Sequence, residues 1–371
     1  MFSRREKPLP VAVLKPDQRV QAEEAESPGI MLGQDVYWTP ERLPNGHIVA
    51  IGASGSGKTQ TLKAIAYELH RTYSAMQLVI IDFHGDQNLQ GEVCYPLHMS
   101  SSYGVNPLYI NLDPEGGGPN LQAIAVAATL KKALQMGPVQ EGLLLEVLGD
   151  CYQHKGIIQN NESTWAKEPP NFADLQAEIE QRVKEGCKDS AKLKLKLNAT
   201  FAYGIFNRPA FLLEHRLVRV DLCKLPPELG AIAAESLAKY LMDTHRLLGE
   251  VEGKIPRTYL FIDEAKEMAK SPALDRIIAD GRKYGLNLVL ASQSERHLSA
   301  DVLGNAATKI VLPVDQVEVK KVAAKFRFAE QKVAALLPLT ALCRFGKHAE
   351  QVEILPYYQR IEQWEGQENV E

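Results

Sequence analysis

The segment Gly52-Ala53-Ser54-Gly55-Ser56-Gly57-Lys58-Thr59 has the residue types and the spacing needed to hold a chain of phosphates. Its glycines let backbone N–H groups wrap phosphate oxygens, Lys58 brings a cation to the β and γ oxygens, and the Thr59 hydroxyl suits Mg²⁺. The candidate nucleotide-binding residues are therefore Gly52, Ser54, Gly55, Ser56, Gly57, Lys58, Thr59 and the adjoining Gln60, with ATP and Mg²⁺ as implied ligands. A plain small-residue turn is the weaker reading because the flanks are those of a P-loop. His47-Ile48-Val49-Ala50-Ile51 is a short apolar run before it, and Leu62, Ile65, Ala66 and Leu69 recur at helical spacing after it.

Two further apolar runs end on an aspartate, Ile81-Asp82 and Ile262-Asp263, but only the second continues with an acid. Asp263 is assigned to the metal and Glu264 to orienting and polarising the attacking water, the pairing that hydrolysis needs. An Asp-Glu pair also suits the first turn of a helix, and the P-loop decides between the two. In Asp82-Phe83-His84-Gly85-Asp86, Asp82 is a loop cap or a neighbour of the nucleotide with equal reason, and His84 reads as a loop residue more readily than as a ligand. Gln293 ends the run Leu286-Asn287-Leu288-Val289-Leu290-Ala291-Ser292, where an amide can sense the γ-phosphate. Arg282 has two accounts of equal weight: a cation at a helix end closed by Gly285, or an arginine finger for a neighbouring subunit's site. The lysines at 184, 188, 192, 194 and 196 read as a solvated face before they read as a DNA contact.

These residues must be carried by strands. The runs 47–51, 78–81, 258–262 and 286–290 have the continuous apolar character of buried parallel strands, and ligands of such sheets bind beyond the carboxyl ends. Leu217-Val218-Arg219-Val220-Asp221 and Lys309-Ile310-Val311-Leu312 are further strands, and 341–345 against 351–355 is a hairpin whose connection contains Gly346. Helical periods over 121–134, 141–152, 172–183 and 231–248 mark a mostly helical insertion over 108–253 that returns to the core near 217–221. The expected organisation is a flexible arm over 1–28, a core from 29–107 and 254–360, and a tail over 361–371.

The 371 residues exceed the roughly 250–300 that one core holds, in keeping with a core plus an insertion. Hydrophobic residues at 45% and charged ones at 24% exclude fibrous and disordered classes. A net charge of −4 argues against coating nucleic acid through overall charge, though not against a local basic channel. Cys94, Cys151, Cys187, Cys223 and Cys343 form no C-x-x-C pair, so neither zinc site nor disulfide framework is suggested. No apolar run approaches the ~18–20 residues of a membrane span, and no signal peptide is evident. A cytoplasmic protein without membrane insertion is expected.

The strand before Gly52, Ile81-Asp82-Phe83-His84-Gly85-Asp86, Phe261-Ile262-Asp263-Glu264-Ala265, and Gly281-Arg282-Lys283-Tyr284-Gly285 leading to Ala291-Ser292-Gln293 together resemble the HerA-FtsK superfamily of DNA-pumping P-loop ATPases. The HerA-like branch is nearest, with the TraG-type conjugative coupling ATPases related. The similarity runs from about Gly29 to Arg360 and includes Asn305-Ala306-Ala307-Thr308-Lys309-Ile310 and Pro356-Tyr357-Tyr358. It implies an α/β, RecA-like core with a mostly parallel sheet, a large helical insertion and a C-terminal β-hairpin. It also implies a hexameric ring with ATP sites between subunits and double-stranded DNA in the pore. By the same resemblance Gly57, Lys58 and Thr59 bind phosphate, Asp263 serves the metal, Glu264 is the base, Gln293 the sensor and Arg282 the trans-acting finger. Two departures stand out: too few residues precede Gly52 for the β-barrel of many HerA proteins, and the membrane helices usual in coupling proteins are missing. The expected function is a ring motor that translocates along or pumps duplex DNA beside a nuclease or other effector. The alternatives are a soluble type IV secretion or conjugation ATPase, and an ATP-gated assembly subunit without motor activity.

Overall fold

The computed structural model describes residues 29–211, 213–253 and 255–368. The arm expected over 1–28 and the end of the expected tail, 369–371, lie outside the described residues. Among the described residues two compact units divide the chain. One comprises Pro96–Leu213 and Leu222–Leu248; the other comprises the stretch through Tyr95, Glu214–Asp221 and the chain from Gly249 onward.

The chain begins with an antiparallel hairpin, β1 (Ile30–Gly33) and β2 (Val36–Trp38), followed by β3 (Ile48–Ile51), α1 (Lys58–Thr72), β4 (Gln77–Asp82) and β5 (Val93–Pro96). Then come α2 (Pro119–Leu134), α3 (Pro138–His154), α4 (Phe172–Lys184), α5 (Lys188–Tyr203), β6 (Leu217–Asp221) and α6 (Pro227–Leu247). The last third runs β7 (Thr258–Ile262), α7 (Pro272–Asp280), β8 (Leu286–Ser292), α8 (Ala300–Asn305), β9 (Thr308–Val311), α9 (Val319–Phe326) and α10 (Glu330–Ala334). It closes with β10 (Thr340–Phe345), β11 (His348–Glu353) and α11 (Tyr357–Glu368), so residues 361–368 continue a helix.

Nine strands form one sheet in the order β11-β10-β9-β3-β8-β7-β4-β6-β5. From β9 to β6 every pairing is parallel, and the hairpin β10–β11 adds two antiparallel strands at one edge. This is the expected mixed α/β, RecA-like class with its C-terminal hairpin. β3, β7 and β8 are buried along their whole length, as strands covered on both faces must be, and hence read as mostly apolar runs. The β1–β2 hairpin and β5 were not expected from the sequence.

The helical unit is built on α2 through α6, with Phe172, Phe201 and Phe206 clustered in its interior. Asn171 caps α4 by accepting from the N–H of Ala173 at 2.8 Å, while Asp174 reaches back to the Asn171 N–H at 2.8 Å. Within the lysine run, Lys192 pairs with Asp189, Lys194 with Glu180, and Lys196 donates to the Leu134 carbonyl.

In the sheet unit, α11 is tied down by a buried cation. Arg360 is 1% exposed and donates to Glu68 Oε1 at 2.8 Å and to the carbonyls of Leu355, Met31 and Leu32 at 2.9, 2.9 and 3.2 Å. Removing it takes the 2.8 Å partner from a largely buried carboxylate and a donor from each of three carbonyls. Arg360→Ala is expected to destabilise this unit by about 3–5 kcal/mol, read by urea denaturation, and a loss under ~1 kcal/mol would show the network to be dispensable. Among the described residues no helix is long and apolar enough to cross a membrane.

Candidate active site

β3 delivers the chain to the carboxyl edge of the sheet, where Gly52–Gly57 turns back into α1. The loop is anchored from both sides: the Gly52 N–H donates to the Ser292 carbonyl at 3.1 Å and the Ala53 N–H to the Pro313 carbonyl at 2.8 Å. Gly57 is required twice over. Its φ is +98°, and a Cβ there would lie 2.6 Å from Leu339 Cδ2. Leu339 in turn donates its N–H to the Ser56 carbonyl at 3.0 Å, so the segment before β10 straps the loop from above. Gly57 is also the N-cap of α1 and offers no side-chain cap, so the first-turn N–H groups remain available to an anion. Lys58 makes no ion pair among the described residues. Gln60 is turned elsewhere, its Oε1 accepting from the Tyr358 N–H at 3.4 Å.

The acids meet this loop. Asp82 ends β4 and Asp263 follows β7, its neighbour in the sheet. Oxygens of Asp82, Asp86 and Asp263 lie within 4.8 Å of one another, and the Thr59 hydroxyl donates to Asp86 Oδ2 at 3.3 Å. Asp263 Oδ1 is buried and has no hydrogen-bond partner, the state of an oxygen whose ligand comes from outside the chain. Thr59, Asp86 and Asp263 therefore fit Mg²⁺ in donor type and in position. Asp82 serves a different purpose. It accepts from the N–H groups of His84, Gly85 and Gln87 at 3.1, 2.7 and 3.0 Å, and Arg219 of β6 pairs with it at 3.0 Å and with Glu92 at 2.8 Å. It caps the turn that swings Asp86 toward Thr59.

Burial, and then the Asp82 charge, push the Asp263 carboxyl up to about 7. Its unfolded value is about 3.9. Between the two the native state holds a proton that the unfolded chain releases, so this group's stabilising contribution is full at low pH and is lost as pH rises through about 7. In chelator, wild type is expected to lose stability over that window relative to Asp263→Asn, in urea denaturation at several pH values. Parallel pH profiles would contradict the assignment.

Glu264 is 4% exposed and points into the same crevice. Gln293, at the end of β8, donates from Nε2 to Glu264 Oε2 at 2.9 Å, and His84 Nε2 stands 3.8 Å from the same oxygen. The structure thus brings together Gly52–Thr59, Asp263, Glu264 and Gln293. It does not bring Arg282 to them. Arg282 lies in the turn before β8, and its charge is felt at His47, whose ring burial and that cation together hold at about 3. His47 precedes β3 and Gly52 follows it, so β3, some 13 Å long at ~3.3 Å per residue, separates Arg282 from its own phosphate loop. Asp86 was not singled out by sequence reasoning, although the turn that carries it was.

Residues 231–334 match the family model described as the type IV secretion-system coupling protein DNA-binding domain. No curated protein matches the chain. Among solved structures, VirB4 of Thermoanaerobacter pseudethanolicus aligns with a TM-score of 0.72 at 16% identity, over 88% of this chain and 96% of that one. The bacterial conjugative coupling protein TrwBdeltaN70 in complex with sulphate aligns at 0.63 and 15%, over 92% and 93%. Plasmid coupling protein TrwB in complex with ADP and Mg²⁺ gives 0.61 and 15%, over 92% and 93%. The chain has the fold of VirB4 and TrwB. At these identities the likeness speaks for the fold, and the chemistry rests on the residues above.

Proposed function

We propose that the chain is the ATP-hydrolysing subunit of a ring motor of the type IV secretion or conjugation kind. The convergence of Gly52–Thr59, Asp263, Glu264 and Gln293 at one end of four adjacent parallel strands, β3, β8, β7 and β4, carries this reading. The family match over 231–334 and the VirB4 and TrwB folds favour it over the HerA-like pump with a nuclease partner, which has the sequence motifs alone in its support.

In this reading ATP lies on the loop with its phosphates against the first-turn N–H groups of α1 and Lys58. Thr59 and Asp263, beside Asp86, would hold Mg²⁺, which would neutralise phosphate charge there. Glu264 polarises the attacking water, and the Gln293 amide holds Glu264 in place and senses the γ-phosphate. Arg282 serves the neighbouring subunit's nucleotide. The ring is a hexamer, its substrate is duplex DNA, and the free cysteines suit the reducing cytoplasm.

The test is steady-state ATP hydrolysis with and without duplex DNA, using Lys58→Ala as the blank. Hydrolysis that duplex DNA stimulates and that Lys58→Ala abolishes is expected. Hydrolysis indifferent to DNA would favour a protein-secretion motor or an assembly subunit.

A further inference from the structure

The sheet unit has a second concavity, at the amino ends of the parallel strands and so at the opposite end from Gly52–Thr59. It measures about 410 Å³ and every ionisable side chain lining it is a cation: Lys309 of β9, Arg327 just after α9, Arg344 of β10 and Lys347 in the β10–β11 turn. None of the four makes an ion pair among the described residues, in a chain whose net charge is −4. Like charges gathered without an acid repel one another, and a protein tolerates this where an anion completes the set. Burial, and then the facing Arg327 and Arg344, lower the Lys309 pKa, in keeping with that repulsion.

The cluster is also held in shape. Arg344 donates to the carbonyls of Phe326 and Arg327 and lies over the Phe328 ring with its guanidinium carbon 5.0 Å from the ring centre. Asn45 fixes the opposite wall, donating to the Asn305 carbonyl at 2.7 Å and accepting from the Ala307 N–H at 3.1 Å. The Arg344 Nη1 hydrogens remain for a phosphoryl oxygen, and Arg327 brings a second guanidinium to the same cavity.

We propose that this cavity is a second phosphoryl-binding site, separate from Gly52–Thr59, for the di- or triphosphate chain of a small ligand. Four cations around one cavity of this size match the charge density of a polyphosphate. A duplex presents one charge per ~1.7 Å along a rod and would meet the cluster only at its rim.

The probe is sodium tripolyphosphate, titrated calorimetrically without Mg²⁺ into the full chain carrying Lys58→Ala, which disables the first site. Binding is expected to remain, to weaken with salt, and to fall at least ~10-fold on adding Arg327→Gln and Lys347→Gln, both exposed positions. Adding Lys320→Gln and Lys321→Gln instead removes the same charge from elsewhere on the surface and should leave affinity within about twofold. No binding to Lys58→Ala, or equal losses from the two double variants, overturns the site. So does a short duplex that binds in an Arg327- and Lys347-dependent way while tripolyphosphate does not, which would make the cavity a nucleic-acid contact.

Discussion

Replacing Glu264 by glutamine is expected to leave ATP binding intact and to slow hydrolysis by about 10²–10⁴-fold. The residue is almost wholly buried, and its carboxylate already accepts from Gln293, so its orientation is set before substrate arrives. Glutamine keeps the shape and the contact with Gln293 but cannot draw a proton from water. The outcome to look for is a normal dissociation constant for ATP with single-turnover hydrolysis nearly lost. Normal turnover would mean that another group activates the water, and His84, 3.8 Å from the same oxygen, would be the first to examine.

Arg282→Ala is expected to cost more, about 10³–10⁵-fold in turnover, because an arginine finger acts on the charge that develops only in the transition state. Its position supports a trans role: it stands beside His47, at the far end of β3 from Gly57. ATP affinity of an isolated subunit should be unaffected, since its own nucleotide lies out of that side chain's reach. A variant with full activity would reduce Arg282 to the helix-end cation that the sequence equally allowed.

Much of this was legible beforehand, for physical reasons. Thr258–Ile262 and Leu217–Asp221 fall where the sequence placed them, the first as the near-continuous apolar run of a strand buried on both faces, the second although Arg219 and Asp221 interrupt its apolar residues. Gly52–Thr59 and the Asp263-Glu264 pair were readable because phosphate and water chemistry fix both residue type and spacing. β5 was missed because all four of its residues are half-buried and carry no such run. α11 was missed because its docking depends on Arg360, a cation that a sequence reading sends to solvent. Asp86 acquires its place only when the turn after β4 folds back toward Thr59, 27 residues earlier in the chain. The four cations of the second cavity come from separate elements that only the sheet assembles.

The central claim, that Gly52–Thr59 is half of a site completed by another subunit, is tested most directly by producing Lys58→Ala and Arg282→Ala chains together in one cell. Each variant alone should be inactive. In mixed rings an intact phosphate loop from an Arg282→Ala chain meets an intact Arg282 from a Lys58→Ala chain, and ATP hydrolysis should reappear. Mixed rings that assemble and stay inactive would contradict the account.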